Sequence, residues 1–316
     1  MTRTIFIAAA LALAATLPAV QAQAQSIRTF VSVAGSDSNP CSITQPCRHF
    51  QAAVSATAAG GEVDALDPGA YGSFTITKAI TIEGQGWSYV APPANGAAIT
   101  INAVSGNVII QGVSLNGVGV ANATGIVFNS GAELQVVNCV VNNFAGNGIS
   151  FTPTVSSTLV VSNTFITGNV GGFAGVVVGP QAANLTLQAV LNRVELHKNY
   201  AGLFVFDFGF TGGTIDVSAV DTVASNNAAI GFNVETISVS SPVTHVSLVR
   251  ASAVENGSVG VFSSGPQSTI RLAQSLIAGN GGGWGIDNGS LLLSYGNNFI
   301  DGNSNNETAP SSIPQK

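Results

Sequence analysis

The sequence has 316 residues, of which only 8% are charged and 46% are hydrophobic, and its formal net charge is −6. Lys and Arg total only 9, too few for a phosphate-binding surface, so the composition excludes a nucleic-acid partner. The apolar content also excludes an intrinsically disordered chain.

Residues 1–24 are predicted to be a secretory signal peptide. A charged start, Met1-Thr2-Arg3, precedes an apolar run at positions 5–20 and an Ala-x-Ala-like cleavage site at 21–24. The alternative is a retained anchor helix, although the run is short for a membrane span and no later stretch reaches ~20 apolar residues. We therefore expect a secreted or periplasmic chain with no membrane span after signal removal.

The three cysteines are expected to have different roles. Cys41 and Cys47 lie six residues apart in an exported chain, which predicts a disulfide. A zinc site is the alternative, but no partner ligands lie nearby in the sequence. Cys139 falls within a repeat strand, where a free Cys behaves as a small hydrophobe.

Residues 25–62 are predicted to form an N-terminal segment with a capping helix. The helix is expected from Pro46 to Ala58, because Phe50 and Val54 have helical spacing and Gly60-Gly61 would end it. Its apolar face would cover the open end of the repeats that follow.

One pattern recurs between Leu134 and Asn303: an apolar strand, an Asn, a few small residues, a Gly and a second apolar strand. A period of 23–30 residues without helical signals indicates a β-solenoid, predicted over residues 63–303 with a flexible tail at 304–316. The Asn residues are expected to stack at a tight turn, with a sugar-contacting ladder as the alternative. They are Asn143, Asn169, Asn199, Asn226, Asn256, Asn280 and Asn303.

The same register predicts the core. The residues three before each Asn are expected to point inward, which includes Val140 and Val223. The residue after each Gly marker is also expected to point inward, as in Gly285-Ile286 at the last full repeat.

Three motifs near the N-terminus resemble a known superfamily. They are the helix pattern PC-x-x-F-x-x-A and the later runs V-x-x-x-x-PG-x-Y and I-x-K-x-I-x-I-x-G. The chain resembles the right-handed parallel β-helix proteins of the pectin-lyase-like superfamily, which implies an all-β fold with a short N-terminal capping helix. That superfamily includes lyases, hydrolases, epimerases and adhesins, so the resemblance does not choose an activity.

The catalytic motifs of the enzymes in that superfamily are missing from this sequence. No dense acidic cluster of the pectate-lyase calcium type occurs, and the polygalacturonase elements Asn-Thr-Asp, Asp-Asp, His-Gly and Arg-Ile-Lys are absent. The sequence therefore implies neither a metal nor another cofactor.

Charged residues concentrate in three consecutive repeats. The register places Arg193 and Arg250 in one column with Val220 between them, and Asp221 and Glu195 nearby. An Arg beside carboxylates could neutralise a uronate and abstract its α-proton, or two carboxylates could hydrolyse a glycosidic bond. Ordinary solvated or paired surface charges are the competing interpretation.

A second candidate site is the aromatic stretch at residues 202–210. If Leu203 points inward, then Phe204, Phe206 and Phe208 point outward and offer a stacking surface for sugar rings. Asp207 would then face the core, which predicts a local break in the strand. His197 is the one histidine that we group with these residues as a candidate ligand contact.

Two functional hypotheses follow. The first is an exported monomeric β-helix protein with a carbohydrate-binding or structural role at the cell surface or in the periplasm. The second is a polysaccharide lyase or glycoside hydrolase acting on an acidic or neutral glycan. Convergence of Arg193, Glu195, Asp221 and Arg250 in a groove would favour the second hypothesis.

Overall fold

A computed structural model of the protein describes residues 25–314. The predicted signal peptide lies outside the described residues. Between residues 25 and 314, no helix is both long and apolar enough to cross a membrane.

The chain winds into a parallel β-solenoid in which each full coil contributes one strand to each of three faces. Strands are numbered in chain order. The first face is a separate sheet of nine strands, which we call the nine-stranded sheet. Its strands are β4 (Phe74–Ile76), β6 (Ala97–Asn102), β8 (Thr124–Ser130), β11 (Ile149–Phe151), β14 (Val176–Val178), β17 (Leu203–Phe206), β20 (Ile230–Glu235), β23 (Val259–Ser264) and β26 (Gly282–Asp287).

The other two faces belong to one 20-stranded sheet, because β5 and β7 bend from one face onto the other. The long-strand face consists of β1 (Ser26–Val31), β2 (Thr57–Ala65), β5 (Ile80–Val90), β7 (Asn107–Asn116), β9 (Glu133–Val137), β12 (Ser157–Ser162), β15 (Leu185–Asn192), β18 (Gly213–Val220), β21 (Val243–Val249), β24 (Ser268–Ala273), β27 (Leu291–Ser294) and β29 (Ser311–Ser312). The short-strand face consists of β3 (Gly69–Ala70), β10 (Val140–Asn142), β13 (Phe165–Thr167), β16 (Glu195–His197), β19 (Val223–Ser225), β22 (Ser252–Val254), β25 (Leu276–Ala278) and β28 (Phe299–Asp301).

Period-2 alternation explains why these segments form strands. In β12, for example, Leu159 and Val161 are fully buried, while the alternate residues Thr158, Val160 and Ser162 are partly exposed. Parallel pairing stacks equivalent residues, so the inward positions form continuous apolar columns through one core. Phe128 and Phe151 stack inside this core with ring centroids 4.8 Å apart.

Two columns of left-handed backbone turn the corners of each coil. The corner between the long-strand and short-strand faces has φ between 48° and 53° at Asn138, Asn163, Arg193, Asp221, Arg250 and Gln274. The corner after the short-strand face has φ between 53° and 70° at Asn143, Gly168, Lys198, Asn226, Glu255, Gly279 and Gly302. Asn and Gly tolerate this conformation best, which explains the Asn residues at both corners and the Gly residues at the second.

The asparagine ladder lies one residue after the second corner column. Each side-chain Oδ1 accepts a hydrogen bond from a main-chain N–H of the preceding coil, as Asn256 does from Asn227 at 3.1 Å. The buried ladder residues are Asn169, Asn199, Asn227, Asn256, Asn280 and Asn303.

Two residues assigned to the ladder from the sequence occupy the corner column instead. Asn143 and Asn226 are exposed and left-handed, and the ladder positions after them are held by Phe144 and Asn227. The inward column shifts with them, so Val141 and Ala224 are buried where Val140 and Val223 were expected.

Close packing against the ladder explains the glycine of each repeat. A Cβ at Gly148, Gly175, Gly202, Gly231, Gly260 or Gly283 would lie only 2.8–3.2 Å from the Nδ2 atom of a ladder Asn in the next coil. The last marker is therefore Gly283, and not Gly285 as the sequence suggested. Trp284 packs against the core, while Ile286 is 49% exposed.

The N-terminal helix is shorter than predicted. Helix α1 spans Phe50–Ala56, and its Phe50, Ala53 and Val54 are buried against the first coils. Cys47 precedes the helix and forms the predicted disulfide with Cys41. Its main-chain N–H donates to Phe30 O in β1, and its carbonyl accepts from Ser32 N just after β1. Residues after the helix enter β2, so the solenoid begins at β1 and not at residue 63.

The C-terminal tail lies against the last coils. Strand β29 pairs with β27, and the Thr308 carbonyl accepts a hydrogen bond from Trp284 Nε1 at 2.7 Å. The Glu307 carboxylate accepts a hydrogen bond from the main-chain N–H of Asn303. Within the predicted flexible tail, Ser311–Ser312 therefore extends the sheet at the end of the solenoid.

Candidate functional site

The charged residues singled out from the sequence lie along one corner of the solenoid. Arg193, Asp221 and Arg250 occupy consecutive coils in the same left-handed column, so Asp221 lies between the two arginines where Val220 was expected. Arg193 donates to Asn163 Oδ1 at 2.6 Å. Glu195 lies two residues beyond Arg193, exposed on the short-strand face.

Arg250 occupies both oxygens of the Asp221 carboxylate, with N–O distances of 2.7 and 3.0 Å. These hydrogen bonds and the charges of Arg250 and Arg193 hold the pKa of Asp221 below its usual value. Such a carboxylate is a weak proton acceptor with no free oxygen for a substrate proton. The side chains of this corner are therefore engaged with one another at the surface, Arg250 with Asp221 and Arg193 with Asn163.

Replacing Arg250 by Met should raise the pKa of Asp221 toward its usual value. Since the folded-state pKa is depressed, the pair stabilises the protein above the unfolded-state pKa of about 4. That contribution is lost as pH falls through the folded-state pKa. An NMR carboxyl titration checks the shift, with Arg271→Met on β24 as the control. An unchanged Asp221 titration in Arg250→Met would contradict this assignment.

The other candidate nucleophiles and bases are placed apart. His197 lies on β16 in the 20-stranded sheet, with Nδ1 3.0 Å from Ser225 Oγ and its ring near Phe165. Cys139 is buried, and burial raises the pKa of its thiol to about 12, so it stays protonated as a core residue. His245 Nδ1 lies 3.3 Å from Asp216 Oδ1 on the long-strand face.

The phenylalanines at 204, 206 and 208 form an apolar cluster outside the solenoid core. Leu203 and Val205 point inward and are fully buried, so the Phe side chains project from the outer surface of the nine-stranded sheet. The rings of Phe204 and Phe206 stack with centroids 5.3 Å apart, and Phe206 meets Phe208 edge-on at 4.9 Å.

The strand ends just before Asp207, at the local break that was predicted because Asp207 would face the core. Strand β17 ends at Phe206, and Phe208 has φ of 50°. The Asp207 side chain is fully buried and accepts hydrogen bonds from Gly209 N at 2.9 Å and Ile237 N at 2.7 Å. It thereby ties the end of β17 to the loop after β20.

Two neighbouring cavities flank the aromatic cluster and share Glu235. We call them together the aromatic groove. One, of about 290 Å³, is lined by Phe173, Tyr200, Ala201, Phe204, Ala229, Ile230, Asn233 and Glu235. The other, of about 620 Å³, is lined by Phe206, Glu235, Thr236, Ile237, Ser238, Val239, Ser264, Pro266 and Asn288. Arg193, Glu195, Asp221, Arg250 and His197 line neither cavity.

Exposed aromatic rings form one wall of the groove. Phe173 is 53% exposed and its ring lies 5.7 Å from that of Phe204. Tyr200 is 48% exposed and belongs to the same lining. Neither residue belongs to a strand, because both lie in the connections that lead from the short-strand face to the nine-stranded sheet.

The polar groups of the groove are an amide and a carboxylate. Strand pairing places Asn233 beside Phe204 and Glu235 beside Phe206. Asn233 Nδ2 donates to Glu235 Oε1 at 2.8 Å, while the buried Asn233 Oδ1 has no hydrogen-bond partner among the described residues. An unpaired buried acceptor costs about 1–3 kcal/mol, so a donor that reached this oxygen would be stabilised.

A further cavity, of about 750 Å³, lies at the C-terminal end of the long-strand face. Its wall includes Arg271 and Leu293 together with Ile313 and Pro314 of the tail. It is therefore the seam between the tail and the last coils.

Comparisons with known proteins find only distant structural likenesses. No protein-family model matches the chain, and no curated protein matches its sequence. The solved structures that resemble it include a rhamnogalacturonan lyase, with 12% identity, a TM-score of 0.47 and coverage of 79% of this chain and 74% of the other. They also include the pectate lyase Pel9A, with 15% identity, a TM-score of 0.48 and coverage of 91% and 77%.

The described residues offer no ready metal site. Across residues 25–314, no three His, Cys, Asp or Glu side chains converge as a set of metal ligands. Glu235 lines the aromatic groove, and both oxygens of Asp207 at the end of β17 are already engaged by main-chain N–H groups.

Proposed function

We propose that this protein is a non-catalytic glycan-binding β-solenoid whose binding site is the aromatic groove. The observation that carries the proposal is the pairing of exposed rings at Phe173 and Tyr200 with the polar groups of Asn233 and Glu235 in one cavity. Sugar rings have apolar faces that stack on aromatic rings and hydroxyl edges that need hydrogen-bond partners, so they match this combination.

The size and position of the groove support a chain-like ligand. Its two cavities, of about 290 and 620 Å³, are comparable to small-molecule sites of about 300–1,000 Å³. They meet at Glu235 and extend across the strands β17, β20 and β23. A glycan of several units would cross these strands and contact both cavities.

The competing lyase or hydrolase function is less well supported. A lyase at the corner column would need a free base, whereas both oxygens of Asp221 are bound by Arg250. Glycoside hydrolysis uses two carboxyl groups about 5–10 Å apart, and Glu235 is the only carboxylate in the lining of the aromatic groove.

Export to the periplasm or the cell exterior is part of this proposal. The Cys41–Cys47 disulfide is of the kind that persists in oxidising compartments. A surface coated with Ser, Thr and Asn and carrying few charges also suits a protein that contacts neutral polymers.

Replacing Phe173 or Tyr200 by Ala should weaken glycan binding about three- to tenfold, because each removes one exposed stacking surface worth about 0.5–1.5 kcal/mol. The melting temperature should change little, since both side chains are about half exposed. Isothermal titration calorimetry with the best ligand from a glycan screen measures the change.

Phe299→Ala is the matched control, because Phe299 is 73% exposed on the short-strand face, away from the groove lining. Equal losses of affinity in Phe173→Ala and Phe299→Ala would contradict a site in the aromatic groove. Failure of the wild-type protein to bind any glycan in the screen would contradict the proposed function.

A further inference from the structure

We infer that the aromatic groove selects glycans carrying protonated amino groups, such as deacetylated hexosamine polymers, over glycans carrying uronic acids. This inference rests on the proposed glycan-binding function and adds the class of ligand. It depends on the charge of the surface, on the free acceptor atoms in the groove and on the aromatic rings beside them.

The nine-stranded sheet carries no basic residue. None of its strands contains a Lys or Arg, and the only charged residues in them are Glu235 and Asp287. Both lie at the carboxyl ends of their strands, with Ser264 on the strand between them. Doubling the spacing between paired strands puts the backbones of Glu235 and Asp287 roughly 10 Å apart on this sheet, and only Glu235 lines the groove.

Glu235 is the only side chain in the groove lining that is charged at neutral pH. Its Oε1 accepts the hydrogen bond from Asn233 Nδ2, and its Oε2 has no partner within residues 25–314. Asn233 Oδ1 also lacks a donor, but it is buried, so the Glu235 carboxylate is the acceptor open to a ligand. An ammonium group supplies three donors to this carboxylate together with the complementary charge.

The aromatic wall favours the same ligand. A cation over the face of an aromatic ring is attracted by the ring's quadrupole. Phe173, Tyr200 and Phe204 line the cavity that contains Glu235. A uronate carboxylate in this position would meet the Glu235 carboxylate with no Lys or Arg in the lining to compensate it.

The test compares three oligosaccharides of equal length: fully deacetylated chito-oligosaccharide, fully N-acetylated chito-oligosaccharide and oligogalacturonate. Affinities are measured by calorimetry at mildly acidic pH, where the amino groups are protonated, and at low and high salt. We expect the wild-type protein to bind the deacetylated ligand at least tenfold more tightly than the acetylated one. Salt should weaken only the former, and oligogalacturonate should bind most weakly.

Glu235→Gln retains the shape of the side chain and removes its charge. It should reduce the preference for the deacetylated ligand to about twofold and leave the affinity for the acetylated ligand within about twofold of wild type. Glu195→Gln, which removes an exposed carboxylate from the short-strand face, is the matched control and should keep the full preference.

Four results would overturn the inference while leaving glycan binding intact. Two concern the wild-type protein: equal affinity for the two chito-oligosaccharides, or tighter binding of oligogalacturonate. The other two are a preference unchanged in Glu235→Gln and an equal loss of preference in Glu195→Gln, which would show non-specific ion exchange. Absence of binding to all three ligands and to every glycan in the wider screen would remove the proposed function as well.

Discussion

Replacing Asn227 by Ala should lower the free energy of unfolding by about 3–5 kcal/mol. The substitution removes three hydrogen bonds: from Asn199 N to Oδ1, and from Nδ2 to Leu196 O and Asn256 Oδ1. The Asn199 N–H is then left buried without a partner, which costs about 1–3 kcal/mol, and a cavity remains beside Gly202. Urea unfolding followed by circular dichroism measures the loss.

The adjacent residue provides the control. Asn226 is exposed at the left-handed corner, and it contributes backbone conformation and no ladder bond. Asn226→Ala should therefore cost only about 1 kcal/mol, the penalty for placing Ala in that conformation. If Asn226→Ala were the more damaging substitution, the ladder would pass through Asn226.

Replacing Asp207 by Ala should lower the free energy of unfolding by about 2–4 kcal/mol and also weaken glycan binding. Its carboxylate holds two main-chain N–H groups, and hydrogen bonds to charged groups contribute about 1.5–3 kcal/mol each, offset in part by the cost of burying the charge. One of them belongs to Ile237, at the start of the loop that lines the larger cavity of the groove. Thermal unfolding and calorimetric titration measure the two effects.

Asp207→Asn retains one acceptor oxygen and should have an intermediate effect on both measurements. A destabilised Asp207→Ala protein that bound glycan with wild-type affinity would show that the loop at 236–239 takes no part in binding. Hydrogen exchange should show faster exchange of the Ile237 N–H in Asp207→Ala than in the wild type.

Much of the fold follows from the sequence because parallel stacking repeats the same inward positions in every coil. The spacing of Asn199, Asn256, Asn280 and Asn303 was enough to predict the β-solenoid. The spacing could not identify the ladder residue where two neighbouring positions both carry Asn. Asn226 and Asn227 satisfy the pattern equally well, and only the hydrogen bonds distinguish the corner residue from the ladder residue.

The ladder residue of the first coil was assigned wrongly from the sequence for a related reason. Phe144 occupies the ladder position there, and its main-chain N–H donates to Asn169 Oδ1. Residue identity at that position therefore gives no sign of the ladder, and Asn143, at the corner before it, was selected instead.

The candidate site was only partly predictable. Alternation around Leu203 correctly directed Phe204 away from the core. Phe173 and Tyr200 could not be assigned to the same site, because they lie in connections whose paths depend on packing between coils. Glu235 could have been suspected from its place on the strand that pairs with the Phe stretch, where it lies beside Phe206.

The asparagine ladder also has a direction. Each Asn oxygen receives a main-chain N–H from the coil before it, and each Asn main-chain N–H is received by the coil after it. At the last coil, the Glu307 carboxylate of the tail replaces the missing next oxygen. A duplicated coil inserted anywhere within the ladder would satisfy both of its neighbours, so a gene for this protein can lengthen by whole coils without leaving an unpaired group.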